Sequence, residues 1–245
     1  MEKEKQLAYM KAWNKKNIKI SRQVRDIIHA YIMSDGYVSP YGILTVEQSI
    51  QQQKFVEWLC SQLKPVCKNE PCSSIIKDVV RFDQRTQKKT FSKRFFTKSV
   101  LVGFHKMWYK PYIKPCDSPY GARTRTRTRT RTRTGFKKQL PKSINCFFNS
   151  TFLTVWFAGD GTKILGSVGA KYEATAFQIH ERNLLKDLFL RKFDINALIN
   201  RAGQSKAGQT QWTININASE YQKFRALITQ IDLIENLFPG KLHKA

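Results

Sequence analysis

The chain has 245 residues, and its 43 Lys and Arg against 18 Asp and Glu give a formal net charge of +25 at pH 7. This charge favours a polyanionic partner such as a nucleic acid, while a content of 41% hydrophobic residues argues against a disordered basic tail. A ribosomal-type RNA binder and a protein of the membrane surface are the other classes that the charge allows. No apolar run approaches the ~20 residues of a transmembrane helix, so we expect no membrane partner.

The N-terminal segment 1–19 is predicted to be a solvated leader, because it mixes both signs of charge and lacks the apolar stretch of a signal peptide. Its acidic residues also argue against a transit peptide. The five cysteines are odd in number and contain no Cys-x-x-Cys pair. This pattern predicts free thiols in a reducing compartment rather than a disulfide framework or a zinc site.

The first half of the chain alternates helical and strand-like patterns. Ser21 is a plausible N-cap of a first helix, whose apolar residues recur at helical spacing up to Asp35. The segments that follow are predicted at 42–49 (strand), 51–63 (helix), 74–85 and 88–97 (paired strands) and 99–109 (helix).

The second half repeats this order, beginning with a helix at 150–160. Its later segments are predicted at 163–168 and 173–179 (strands), 181–193 (helix), 196–202 and 209–217 (a hairpin) and 220–238 (helix). Two copies of one pattern suit a pseudo-dimer. We therefore predict an α+β fold of two pseudo-symmetric αββαββα halves, residues 20–111 and 144–245, with antiparallel sheets.

A linker at 112–143 separates the two predicted halves. Residues 123–134 within it are six consecutive Arg-Thr dipeptides, and a tract without apolar residues cannot form a core. It is either a disordered insertion or a flexible arm that binds phosphates and increases the salt dependence of binding.

Two apolar nonapeptides that end in Asp-Gly, at 28–36 and 153–161, organise the pattern. Each places a carboxylate, Asp35 or Asp160, at the C-terminal end of a helix, where the helix dipole disfavours it. If the two helices pack side by side, both carboxylates and the free carbonyl groups of both helix ends converge. Such a cluster repels itself unless a cation joins it, and hard oxygen ligands select Mg²⁺ or a similar ion.

These nonapeptides resemble the motif of the LAGLIDADG homing endonucleases, in the single-chain form that carries two motifs. The second copy is the closer match, because it contains Trp-Phe-x-x-Asp-Gly, whereas the first contains His29 and Tyr31. Met33 and Ala158 replace the earlier acidic position of the motif, and the later acid is kept in both copies. The resemblance covers roughly residues 20–245.

The resemblance implies a set of site residues. In the family the two motif acids hold Mg²⁺ or Mn²⁺ together with the residues before them. Two lysines assist, and they correspond to Lys138 in the run Lys-Lys-Gln-Leu-Pro and Lys241 after the last helix. A polar residue at the end of the second strand of each half is also typical. The implied metal ligands are Asp35, Asp160, Ser34 and Gly159, and the other implied catalytic residues are Lys138, Lys241, Gln48 and Gln178.

Base recognition is assigned to the sheets. Residues 209–217 alternate strictly, and the polar set is uncharged but rich in hydrogen-bonding groups, which suits base edges in a major groove. Residues 77–85 form a similar, more basic face in the first half. The candidate DNA-binding residues are Lys77, Arg81, Arg85, Gln209, Gln211, Thr213 and Asn215.

These patterns favour a monomeric, site-specific double-strand DNA endonuclease. The resemblance implies a long target site, a staggered cut in which each half serves one strand, and a gene within an intron of a mitochondrion or chloroplast. An intron RNA maturase on the same scaffold is the alternative, with intron RNA as its partner. A non-catalytic DNA-binding regulator is the third interpretation.

Overall fold

The computed structural model describes residues 20–84, 87–113, 134–205 and 208–243 of the chain. The predicted leader 1–19, Arg85 and all but the last residue of the Arg-Thr tract lie outside the described residues. Within them the predicted α+β class is confirmed, because an antiparallel sheet packs against helices in each half of the chain. No described helix is both long enough and apolar enough to cross a bilayer.

The N-terminal half begins with the first motif helix and carries four strands. Its helices are α1 (Arg22–Met33), α2 (Gln53–Gln62), α3 (Cys72–Ile75) and α4 (Val102–Trp108), and its strands are β1 (Tyr37–Val38), β2 (Leu44–Ser49), β3 (Lys77–Asp83) and β4 (Lys88–Phe96). Short 3-10 turns at Ile50–Gln52 and Lys64–Val66 flank α2.

Two strands, β5 (Tyr109–Ile113) and β6 (Thr134–Lys138), pair antiparallel between the halves. The C-terminal half then carries helices α5 (Ile144–Phe147), α6 (Ser150–Asp160), α7 (Ile179–Phe193), α8 (Ala218–Ile228) and α9 (Leu233–Leu237), and strands β7 (Gly161–Lys163), β8 (Ala170–Glu173), β9 (Leu198–Gln204) and β10 (Thr210–Ile216). A 3-10 turn at Pro239–Lys241 follows.

The two sheets repeat one topology. Their strand orders are β1-β2-β4-β3 and β7-β8-β10-β9, and every pairing is antiparallel. In each sheet the first strand follows a motif helix directly, so the end of that helix lies at one edge of the sheet. The two halves therefore have the same strand order after their motif helices, as predicted for a pseudo-dimer.

The motif helices α1 and α6 pack against each other in the core. Ser21 caps α1 by accepting a hydrogen bond from the Val24 amide at 3.3 Å, as predicted. Asn149 caps α6 by accepting one from the Phe152 amide at 3.0 Å, and its side-chain amide donates to the buried Asp26 of α1 at 2.7 Å. Helix α6 is apolar on all sides, so it is buried on all sides.

Several predicted bounds differ from the structure in the C-terminal half. The strands predicted at 163–168 and 173–179 are wrong, because β7 starts at Gly161 and the chain turns at Gly166, whose φ is +82°. The Ile164 amide donates to the Gly169 carbonyl and closes this hairpin. The helix predicted at 220–238 is interrupted after Ile228, where the Thr229 hydroxyl donates back to the Arg225 carbonyl.

The prediction that all cysteines are free thiols is wrong. Cys60 of α2 and Cys72 of α3 form a disulfide, while Cys67 is free and buried and Cys146 is free and exposed. The turn after α2 reverses the chain and brings two residues that are 12 positions apart next to each other. Spacing alone does not show this reversal.

A buried histidine makes folding sensitive to pH. His29 of α1 is 2% exposed, stacks on Phe147 at a ring-centroid distance of 3.7 Å, and accepts a hydrogen bond from the Trp108 indole at 2.8 Å. Burial, with a smaller contribution from the Arg25 charge, lowers the pKa of His29 to about 3. The imidazole therefore stays neutral in the folded protein at a pH where the unfolded chain binds a proton.

We expect this histidine to remove stability as the pH falls below its unfolded pKa of about 6.5, by up to about 1.4 kcal/mol per pH unit. His29→Gln keeps an acceptor for the indole and removes the titration. Urea unfolding should show that the stability of the wild type relative to this variant falls by about 2 kcal/mol between about pH 7 and about pH 5. The other titrating groups are common to both proteins, so parallel curves would contradict the assignment.

Candidate metal and DNA-binding site

The C-terminal ends of the two motif helices meet at the centre of the molecule. A methyl group added to Gly159 of α6 would lie 2.6 Å from the Ser34 hydroxyl oxygen and 3.3 Å from Oδ2 of Asp35. The backbone of one half therefore touches the motif residues of the other. Asp160 follows Gly159 directly, so the carboxylates predicted to share a seam both lie there.

A hydrogen-bonded network orients the Asp35 carboxylate. Gln48 of β2 donates from Nε2 to Oδ2 of Asp35 at 2.8 Å and to the Tyr31 hydroxyl at 3.4 Å. The buried Tyr31 hydroxyl in turn accepts from the Glu47 amide at 3.2 Å and donates to the Glu47 carbonyl at 3.3 Å. Asp35 itself is exposed, so it combines a fixed orientation with access to solvent.

Asp160 lies in a drier setting than Asp35. Burial, the Asp35 charge and the Glu173 charge raise the pKa of Asp160 to about 7, against the opposing effect of Lys138 and Lys241. No described residue donates a hydrogen bond to this carboxylate. The ionised form of Asp160 therefore needs nearby positive charge, which a bound cation would supply.

Lys138 of β6 binds the end of the first motif helix. Its ammonium group donates to the Ser34 carbonyl at 2.7 Å and to the Met33 carbonyl at 3.5 Å, which are free acceptors because the helix ends there. Burial lowers the pKa of Lys138, against the opposing effect of Asp160 and Asp35.

Lys241 plays the same part at the second motif helix. Its ammonium group donates to the carbonyls of Phe157 at 3.0 Å, Ala158 at 2.7 Å and Gly159 at 3.1 Å. Burial lowers the pKa of Lys241 to about 8, although the two motif carboxylates oppose the shift. The end of each motif helix is therefore bound by one of the two lysines that the resemblance implied.

Gln178 does not lie where the sequence analysis placed it. It is the N-cap of α7, and its backbone amide donates to the Glu181 carboxylate at 2.7 Å in a capping box. The second strand of this half ends earlier, at Glu173, and the pairing register places the buried Ala174 where the first half has Gln48. The two halves therefore differ, because only the first half presents an amide to its carboxylate among the residues that the structure describes.

The donor set at the seam fits a hard divalent cation. The carboxylates of Asp35 and Asp160 lie near the carbonyls of Ser34 and Gly159, and each carbonyl keeps a second lone pair beside the one that a lysine occupies. No cluster of three or more His, Cys, Asp or Glu occurs within the described ranges. A site with only two carboxylates is sufficient for Mg²⁺, because this ion usually keeps several water ligands and binds substrate phosphates.

The candidate DNA-binding residues of the N-terminal sheet lie on its outer face. Arg81 of β3 forms two close contacts with Glu47, and Lys77 of the same strand pairs across the sheet with Arg94. Arg85 lies outside the described residues. Glu47 was not among the predicted site residues. Its position on the outer face follows from the strand register, which pairs it with Arg94 two residues before the end of β2.

The C-terminal sheet presents a different chemistry. Gln211, Thr213 and Asn215 share one face of β10, while the alternate residues Ile214 and Ile216 are fully buried. Gln209 precedes the strand and is exposed. The predicted alternation holds at Ile214, Asn215 and Ile216, but Thr213 of the polar set is itself buried at 4% exposure, so its side chain is not presented to a partner at the surface.

Comparison with known proteins identifies a family for part of the chain. Residues 126–224 match the LAGLIDADG DNA endonuclease family. This range contains the second Asp-Gly motif, so the family match confirms the resemblance for that half of the chain. No curated protein matches the chain.

Solved structures align with nearly the whole chain, and the first of them shows the same fold. The homing endonuclease I-WcaI bound to its DNA recognition sequence aligns over 96% of this chain and 92% of its own, with a TM-score of 0.70 and 14% identity. A variant of I-DmoI, in complex with its nicked target DNA and in the presence of Mn, aligns over 93% of this chain and 100% of its own, with a TM-score of 0.44 and 11% identity. The N-terminal LAGLIDADG domain of DUF199/WhiA aligns over 93% and 95%, with a TM-score of 0.43 and 9% identity.

Proposed function

We propose that this chain, which has the fold of a homing endonuclease and matches the LAGLIDADG DNA endonuclease family over residues 126–224, is a site-specific double-strand DNA endonuclease. It acts as a monomer on a long target sequence, and each half cuts one strand. The observation that carries the proposal is the meeting of Asp35 and Asp160, from equivalent places in the two halves, at a seam between two sheets of a strongly basic chain.

The two carboxylates would hold Mg²⁺ or Mn²⁺ together with the carbonyls of Ser34 and Gly159. A divalent cation in this place supplies an activated water and neutralises charge on the phosphate that is attacked. Asp35 is held ready by Gln48, whereas Asp160 depends on positive charge to become ionised. The protein thus provides one pre-oriented acid and one acid whose ionised form a bound cation would stabilise.

The two lysines stabilise the helix ends and add positive charge beside the site. Although burial lowers the pKa of Lys241 to about 8, the ammonium form predominates near neutral pH, and its N–H bonds meet the carbonyls of Phe157, Ala158 and Gly159. Lys138 reaches the first motif helix from the strand that leaves the linker, so it ties the linker to the site. We assign both lysines to phosphate neutralisation and water positioning.

A cleavage assay on a plasmid library of random inserts tests the proposed function. We expect a small set of plasmids that share one long sequence to be linearised in Mg²⁺ or Mn²⁺ and to stay intact in chelator. The Asp35→Asn, Asp160→Asn double variant is the matched control, because it keeps the fold and removes both carboxylates. A wild-type protein that cuts no sequence under any of these conditions would contradict an endonuclease.

The alternative of an intron RNA maturase has its own test. Addition of the host intron transcript to the same preparation would show whether the protein promotes splicing. Splicing without cleavage of DNA would contradict the proposed function. The partner of the protein would then be the RNA of its own intron rather than DNA.

A further inference from the structure

The outer face of the N-terminal sheet contains a carboxylate that is surrounded by basic groups. Glu47 of β2 contacts Arg81 at 2.6 and 2.8 Å, accepts a hydrogen bond from the Ser92 hydroxyl at 2.6 Å, and lies 3.7 Å from Arg94. Burial opposes ionisation of this acid, but the hydrogen bonds from Ser92 and Arg81 lower the pKa of Glu47. A carboxylate on a face that binds a polyanion repels that partner and weakens binding. Its presence therefore calls for another explanation, such as the orientation of a neighbouring basic group.

The contact with Glu47 fixes the guanidinium of Arg81 in one orientation. Both terminal nitrogens of Arg81 face the two carboxylate oxygens, in a bidentate pair. A guanidinium has five N–H donors, so this pair leaves three of them free, including the Nε–H and a terminal N–H that form one edge. The Arg81 side chain is 59% exposed, and this edge is therefore available to a partner.

A free guanidinium edge of this kind matches one base. Guanine presents O6 and N7 as two acceptors in the major groove, and a bidentate arginine is the commonest specific contact to them. A mobile arginine would instead turn toward phosphates, which attract it without regard to sequence. Pairing with Glu47 restrains Arg81 from turning toward phosphates, because that movement would leave the half-buried Glu47 carboxylate without its bidentate partner.

Arg81 also lies beside the candidate metal site. A cavity of about 360 Å³ is lined by Arg81, Glu47 and Ser92 at one side and by Asp35 and Gln48 at the other. A base read in this cavity is therefore close to the phosphate that Asp35 would serve.

The second half has no matching arrangement among its described residues. The pairing register places Glu173 where the first half has Glu47, and Thr213 where it has Arg94. The Glu173 carboxylate accepts from the Thr175 amide of its own loop at 3.0 Å, and the strand beside it carries uncharged polar residues, of which Gln211 and Asn215 are half-buried and Thr213 is buried. The two sheets thus offer different hydrogen-bonding groups, and we expect them to contact different bases.

We propose that Arg81, positioned by Glu47, reads a guanine close to the cleavage point in the half of the target that the N-terminal sheet binds. This inference rests on the proposed function. It makes Arg81 a specificity-determining residue and Glu47 a positioning residue, and it gives the target a guanine requirement on one side only.

Selection of bound sequences from a random duplex DNA library, in Ca²⁺ to retain uncut DNA, tests the inference. We expect the wild type to enrich one long sequence in which a guanine at a single position is preferred by at least about 5-fold over each other base. Arg81→Lys keeps the charge and removes the guanidinium edge, so it should lose this preference while other positions and the salt dependence of binding stay unchanged. Asp78→Asn, which breaks the ion pair with Lys93 between the same two strands and lies away from this cavity, is the matched control and should keep the preference.

Glu47→Gln separates positioning from direct contact. It should weaken the preference for guanine at the same position and steepen the salt dependence of binding, because Arg81 is released toward phosphates. A guanine preference that survives Arg81→Lys, or that is unaffected by Glu47→Gln, would overturn the inference and leave the endonuclease proposal intact. A wild type that enriches no sequence would overturn both.

Discussion

Asp160→Asn is expected to reduce cleavage of the target by at least about 10³-fold, which corresponds to roughly 4 kcal/mol of lost transition-state stabilisation. The amide has the shape of the carboxylate but no charge, so it cannot hold a divalent cation together with Asp35. Single-turnover cleavage of a labelled duplex in Mg²⁺ measures the rate. Binding of the same duplex in Ca²⁺ should change by less than about 3-fold, because under the proposed function the sheets would provide most of the contact with DNA.

The stability of this variant distinguishes a chemical role from a structural one. Burial and the nearby Asp35 charge disfavour the ionised form of Asp160 in the folded protein. Removing that charge should leave the free energy of unfolding unchanged or increase it. Asp35→Asn should lower the rate to a similar extent, since both acids share the seam.

Glu173→Gln is the matched control for these variants. Glu173 also raises the pKa of Asp160, but it lies on the sheet and not at a motif helix end. Its removal should leave cleavage within about 3-fold of the wild type. Cleavage at the wild-type rate by Asp160→Asn would remove Asp160 from the mechanism.

Gly159→Ala is expected to destabilise the protein by about 1–3 kcal/mol, because the seam has no room for a methyl group. The added carbon would lie 2.6 Å from the Ser34 hydroxyl oxygen and 2.7 Å from its Cβ, so the two motif helices must move apart. A shift of about 1 Å between Asp35 and Asp160 should also slow cleavage by about 10²-fold. Thermal unfolding and single-turnover cleavage measure the two effects.

The complementary change should rescue this variant. Ser34→Gly removes the side chain that the new methyl group meets, so the Ser34→Gly, Gly159→Ala double variant should recover most of the lost stability and rate. Gly103→Ala on α4 is the matched control, because a methyl group there meets nothing within 4 Å and alanine favours a helix. A Gly159→Ala protein as stable and active as the wild type would show that the helices do not pack closely at this point.

Local patterns in the sequence determined the motif helices and their ends. Apolar spacing followed by Asp-Gly predicted α6 at Ser150–Asp160, where the structure has it, and alternation predicted the buried Ile214 and Ile216 of β10 but not the burial of Thr213. These features depend on the 3.6-residue period of a helix and the two-residue period of a strand, which neighbouring residues encode. The resemblance to the family, through the run Lys-Lys-Gln-Leu-Pro before the second motif, pointed to Lys138, which contacts the end of the first motif helix.

The tertiary structure alone decided which distant residues meet. Gln178 follows the same local pattern as Gln48, yet it caps a helix, and Ala174 takes the equivalent place because β8 ends earlier than its sequence suggests. The Cys60–Cys72 disulfide and the pairing of Arg81 with Glu47 also join residues whose proximity depends on a chain reversal and on strand register. Register is set by packing of whole sheet faces and changes every contact when it slips by one residue, so no short stretch of sequence contains it.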